Sequence, residues 1–447
     1  MAVTTFLDRS KHPETAKAQF FYSLVSIFDG MVIAFLTIFL NECRRVLSWS
    51  QLMTSFSLFL PPFGAAIGII LCSKFVNTHH NNLKLIRIVL SLLLLALLAL
   101  GLTGIYLPNG LDEGGEIVNR GQYYLLYSMF LFLPSLIMGL YWAFASLHTC
   151  SIADINYVEK TRYGHVCLYG SLVPIICSPL AGLIAGSLFS SYQGYLFLFL
   201  VASPLLLMLI LFTYVFHPFP SSFYHDDGHE NVSVKELFKN KTYLLYLFLA
   251  VLWIPSLWAG DSLSSNLWTA LEGGEGVTNS FNSLSWGFFL SVSSLMEFIF
   301  VFLNTKFGIG KKVRFSMTFA FVLLLVMSIG LGVVAYFYRV PLEDGLSVAL
   351  TIIAIHSLKG MSNGLYLTSN ILMLHHIVGP KKRRKAVFIA PFLYQLMNSL
   401  LQLAYPYLSD RRHIAFFALA TIALLGFSLS LLLDVQLLHR PPMKKED

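Results

Sequence analysis

Residues 217–241, HPFPSSFYHDDGHENVSVKELFKNK, are the longest polar connection between apolar segments, and six such segments lie on each side of them. The segments are read at 18–40, 51–73, 85–107, 122–149, 165–188 and 194–216, then at 242–270, 281–303, 315–338, 346–376, 386–408 and 414–434. Each is long enough to cross a bilayer, which takes about 20 apolar residues in a helix. Composition agrees. The 447 residues are 56% hydrophobic and 12% charged, whereas a soluble domain carries about 25% charged residues. Water cannot be the solvent for most of this chain, and the lipid bilayer takes its place. Inside a bilayer the backbone must bond to itself, so the expected fold is an all-α membrane protein of twelve transmembrane helices.

Six spans, a polar linker and six more spans is the layout of a transporter built from two bundles around a midplane site. The expected division is an N-terminal six-helix bundle over 1–216, a linker over 217–241 and a C-terminal six-helix bundle over 242–447. Within the linker, Ser233 and Glu236 have the spacing of a capping box, which predicts a short amphipathic helix before the seventh span. Lys and Arg set the orientation. Twenty-three of them fall on the side of the two termini, six on the other, and Lys359 lies within the tenth span. The excess of positive charge places both termini in the cytoplasm. The sequons at Asn231 and Asn240 then face the cytosol and carry no glycan. The formal net charge of +7 is this topology signal rather than a nucleic-acid surface. The first 17 residues are polar and predict no cleaved signal peptide. The five cysteines have no disulfide or metal spacing.

Charge inside hydrocarbon is expensive, and it marks the candidate site. Asp29 lies in the first span, Asp261 in the seventh, Glu297 in the eighth, and His356 with Lys359 in the tenth; Asp154 follows the fourth. Carboxylates so placed suit substrate binding or proton carriage. His356, Lys359, Asn363, Tyr366 and Asn370 recur at three- or four-residue steps, so they share one helix face. The first span has a similar stripe in Gln19, Tyr22, Ser23, Ser26 and Asp29. The eleventh has another in Gln395, Asn398 and Gln402. Any one stripe can be glue between helices; three of them, in both halves, point to a central polar cavity. Pro61-Pro62 through Gly68, and Pro174, Pro179, Gly182 and Gly186, read as bends and helix contacts.

These residues give the chain a resemblance to the major facilitator superfamily, in the branch that groups lactose permease with nucleoside–proton symporters. The likeness runs through 21–42 (FYSLVSIFDGMVIAFLTIFLNE) and 47–68 (LSWSQLMTSFSLFLPPFGAAIG). It continues in 152–176 (IADINYVEKTRYGHVCLYGSLVPII), similar to an acidic residue followed by Tyr-Gly-Arg-x-Arg-x-x-Gly. AGDSLSSNLWTALEGG at 259–274, SLMEFIF at 294–300 and AIHSLKG at 354–360 resemble its acidic seventh and eighth helices and its tenth-helix histidine. The resemblance implies roles for Glu297 and His356 in substrate binding and proton coupling, and an acidic site at Asp154. His165 and Cys167 stand where the branch often has two arginines. Lys359 stands where lactose permease has a proton-carrying glutamate.

The expected function is therefore secondary transport of a small polar organic solute, such as a nucleoside or sugar, by alternating access with protons as coupling ion. The alternative is a transporter-shaped receptor or regulatory scaffold that moves nothing. No nucleophile–base pair, metal spacing or phosphate loop points to an enzyme, a cofactor or a metal. The expected partners are a small-molecule substrate and the bilayer, with no nucleic acid, for a monomer in the plasma membrane.

Overall fold

With no water in the bilayer core to satisfy a free N–H or C=O, each apolar segment has to close its own hydrogen bonds. The computed structural model does this in every regular element it describes. It describes residues 13–35, 38–39, 51–75, 79–106, 137, 163–187, 192–215, 234–272, 283–307, 312–337, 345–378, 380–408 and 411–433. The first half contains α1 (Pro13–Phe28, continued by a π-helical turn Asp29–Ile33), α2 (Gln51–Phe75), α3 (His79–Tyr106), α4 (Tyr163–Ser187) and α5 (Tyr192–Val215). A short α6 (Val234–Phe238) precedes α7 (Lys241–Glu272), α8 (Ser283–Phe307), α9 (Val313–Phe337), α10 (Gly345–Ile377), α11 (Pro380–Leu408) and α12 (Arg412–Ser430). Eleven of the twelve expected spans are helices here. The fourth, 122–149, lies outside the described residues except for Ile137. Among the described residues, six helices are long and apolar enough to cross a membrane by length and composition, and α2, α3 and α11 hold shorter apolar runs.

The packing sorts each helix into a lipid face and a protein face. On α4, Leu172, Ile176, Leu180 and Leu183 recur one turn apart and are exposed, Ile176 by 70%. In water this would be an aggregation hazard; against lipid it is the favoured side. On the protein side, α1 lies against α4, and α3 runs along α5. In the second half α8 packs on α10, α9 on α10 and α12, and α7 on α11 and α12.

Among the described residues, the two main seams between the halves are α4 with α8 and α2 with α11. The first is tight along its length. A Cβ on Gly287 of α8 would stand 2.5 Å from the Ser178 carbonyl oxygen and 2.8 Å from the Pro179 Cα, so only glycine admits α4 there. Further along, the Ser291 hydroxyl donates to the Ile175 carbonyl at 2.7 Å. At the other end of the seam, Gly164 of α4 faces the side chain of Thr305.

Local anchors fix helix ends. Arg87 of α3 lies 3.7 Å over the Tyr214 ring and donates from Nη2 to the Thr213 carbonyl at 2.9 Å, satisfying a carbonyl left over at the end of α5. Asn240 caps α7, its Oδ1 accepting from the N–H groups of Thr242 (3.0 Å) and Tyr243 (3.2 Å). The predicted linker helix is present as α6, although Ser233, its expected cap, lies outside the described residues.

Candidate functional site

Glu297, near the middle of α8, is held from both sides. The Ser171 hydroxyl on α4 donates to Oε1 at 2.6 Å, and the Asn363 amide on α10 donates to Oε2 at 2.7 Å. Both carboxylate oxygens are thus engaged, one by each half of the molecule. Helix α10 can come this close because its contact face is glycine. A Cβ on Gly364 would lie 2.8 Å from the Glu297 carbonyl oxygen, and one on Gly360 would collide with the Ser293 carbonyl. This Gly360-x-x-x-Gly364 pair brackets Asn363 and sets its distance from the carboxylate.

One turn along α10, Lys359 forms an ion pair with Asp261 Oδ2 of α7. His356 stands on the other side of the same carboxylate, its Nε2 3.3 Å from Asp261 Oδ1. That is an ion-pair distance without the alignment of a hydrogen bond. The imidazole Nδ1 is 3.4 Å from the Ser264 hydroxyl, which itself donates to the Gly260 carbonyl at 2.7 Å. His356 is fully buried, whereas the Asp261 side chain keeps 32% of its surface. Phe289 of α8 covers the imidazole with ring centroids 4.1 Å apart, and Trp286 and Trp268 pack on Phe289 at 4.4 and 5.3 Å. Trp286 also reaches the first half, its indole N–H pointing at the Ala34 carbonyl of α1 at 3.5 Å.

Asp29 opens the π-helical turn of α1, five residues before Ala34. Its Oδ1 is buried and has no hydrogen-bond partner among the described residues. The adjoining Gly30 sits against Pro174 and Ser178 of α4. Asp29 therefore lies next to α4, as Glu297 does through Ser171, and on the opposite half from the Asp261 cluster.

Of the residues read from sequence, the structure gathers Asp261, His356 and Lys359 into one cluster and Glu297 with Asn363 into an adjacent one. Asp29 bonds through its Oδ1 to neither cluster, and Asp154 lies outside the described residues. The polar stripes are used in part between helices, while Ser23 and Ser26 bond back to their own helix. Gln19 donates to the His165 carbonyl at 3.1 Å, and Gln402 donates to Ser262 of α7 at 3.0 Å. Tyr366 stacks on Trp253 at 3.7 Å. Ser171, Ser264 and the Trp268–Trp286–Phe289 stack were not singled out in the sequence. Neither was Gly360-x-x-x-Gly364, although its spacing was legible there.

Two halves meeting along α4–α8 and α2–α11, with Glu297 bonded across the first of these seams, define the class of architecture: this is the major facilitator fold. Solved structures with that fold align over nearly the whole chain. The xylose transporter XylE from E. coli, in a partially occluded inward-open conformation, is similar with a TM-score of 0.65 and 13% identity, over 93% of this chain and 98% of that one. A mutant of the nucleoside transporter NupG gives 0.65 and 11%, over 94% and 99%. An outward-facing bacterial homologue of the iron transporter ferroportin gives 0.61 and 14%, over 94% and 98%. No protein-family model matches the chain, and no curated protein matches it in sequence.

Proposed function

We propose that this protein is a secondary active transporter that moves a small polar organic solute by alternating access, with protons as coupling ion. The observation that carries the reading is Glu297, a carboxylate within the membrane region that bonds to Ser171 of one half and Asn363 of the other. A group so placed exchanges partners whenever the halves rock, which is how a site at the midplane of two bundles couples occupancy to movement. The proposed binding residues are Asp29, Asp154, Asp261, Glu297, His356, Lys359 and Asn363. The solved neighbours named for nucleoside and xylose transport support a polar organic solute as cargo.

The proposed organisation is two bundles, 1–216 and 242–447, joined by the linker 217–241. Lys and Arg, twenty-three on the side of the termini against six on the other, support cytoplasmic termini. We place the protein in the plasma membrane as a monomer. One observation favours the scaffold alternative: the Asp261–Lys359–His356 cluster is closed on itself, as a locked interface would be.

The test is reconstitution into liposomes, with uptake of nucleosides, sugars and amphipathic organic ions followed with and without an inward proton gradient. Uptake that collapses with the gradient establishes symport. Glu297→Gln should then lose uphill uptake and retain exchange. Uphill uptake by that variant equal to the parent's removes Glu297 from the mechanism, and no uptake by folded protein leaves the scaffold.

A further inference from the structure

The intramembrane charges do not balance. Away from the helix ends the spans carry three carboxylates, Asp29, Asp261 and Glu297, against one ammonium, Lys359. The excess is two negative charges with His356 neutral and one with it charged. The structure shows where the imbalance is left. Asp261 has Lys359 and His356 beside it, and Glu297 has two neutral donors, one on each oxygen. Asp29 has a buried Oδ1 with no hydrogen-bond partner among the described residues. An unmet carboxylate in a low-dielectric site is costly, and such an atom in a native fold calls for a physical explanation.

We propose that Asp29 is the counter-ion for the positively charged group of the transported solute. The cargo would thus be an organic cation bearing an ammonium group rather than a neutral sugar or nucleoside. This deepens the transporter reading and rests on it. The closed state of the Asp261 cluster fits the assignment. Lys359 would repel a cation if it were bare, and its pairing with Asp261 removes that repulsion from the opposite half. A proton could also neutralise Asp29, so the test has to separate the two.

Purified protein is titrated with choline, glucosamine and putrescine, and in parallel with glucose and uridine, following thermal stabilisation in detergent. Uptake of each compound is then measured in liposomes under an inside-negative potassium diffusion potential. The expected result is saturable stabilisation and potential-driven uptake for at least one cation. Asp29→Asn should weaken that binding by at least about thirtyfold, since truncating one partner of a buried charge pair is costly. Asp29→Glu should restore part of it. An unchanged thermal midpoint of the ligand-free Asn variant establishes that it folds. Cation binding that survives in Asp29→Asn overturns the assignment. Uptake confined to glucose or uridine overturns it while leaving the transporter intact. Neither binding nor uptake of any compound by folded protein overturns both.

Discussion

Asp29 and Asp261 are carboxylates on the first helix of each half, α1 and α7, yet they live in different surroundings. Asp261 is flanked by an ammonium and an imidazole, and the imidazole is covered by Phe289, on which Trp286 and Trp268 pack. Asp29 opens a π-turn, and its Oδ1 has no hydrogen-bond partner among the described residues. The difference teaches that residue type and depth do not make a site. Asp261 is ion-paired within its own half, and Asp29 is left for the cation proposed above as cargo. Glu297 stands between the two cases, satisfied by neutral groups that belong to different halves.

The comparison breaks first at Lys359. Lys359→Met leaves Asp261 without its cation, and breaking a buried pair from one side costs about 3–5 kcal/mol. Asp261 retains 32% of its surface, so screening reduces the expected loss to about 2–3 kcal/mol. The double variant Lys359→Met with Asp261→Asn should recover most of it, as read by thermal or denaturant unfolding in detergent. If the double variant is no more stable than the single one, the pair is not what closes this cluster. Gly360→Ala comes next. Its new methyl would meet the Ser293 carbonyl, and overpacking of this kind costs about 1–3 kcal/mol. It should also separate Asn363 from Glu297, so transport falls further than stability does.

Ser171→Ala and Asn363→Ala each remove one hydrogen bond to Glu297, with a loss of about 1–2 kcal/mol apiece. The two are distinguishable by where they act. Ser171→Ala frees α4 from α8, and should speed hydrogen exchange or cysteine labelling along that seam; Asn363→Ala should not. The smallest effect belongs to Asp29. Asp29→Asn alters a carboxylate whose Oδ1 has no hydrogen-bond partner among the described residues, so stability should change by less than about 0.5 kcal/mol or rise. A loss as large as that of Lys359→Met would place Asp29 in a structural pair and erase the contrast between the two halves.

Much of the architecture was legible in the sequence because hydropathy reports membrane depth directly. The expected 242–270 and 346–376 fall within two residues of the helices Lys241–Glu272 and Gly345–Ile377. The misses have one cause. α3 starts at His79 and α11 at Pro380, six residues before the expected spans, because their first turns are polar and helix extends beyond the apolar zone. The α10 stripe was legible from its period, and its partners were not. Whether Lys359 would meet Glu297 or Asp261 depends on how α7, α8 and α10 register in space, which no local pattern encodes. Ser171 and Ser264 are ordinary serines until the fold places a carboxylate and an imidazole opposite them. Gly360 and Gly364 are the exception, a spacing visible in the chain whose meaning needed the neighbouring backbone.

The Trp286 contact has an optical consequence. Its indole N–H points from α8 at the Ala34 carbonyl of α1, so any motion that parts those helices exposes a tryptophan ring to a new environment. Six tryptophans are present, and replacing the other five by phenylalanine would leave a single emitter at this junction. Its emission should shift to longer wavelength when the two helices separate and return when they close. A spectrum that stays constant while substrate turns over would mean that this junction remains shut throughout the cycle.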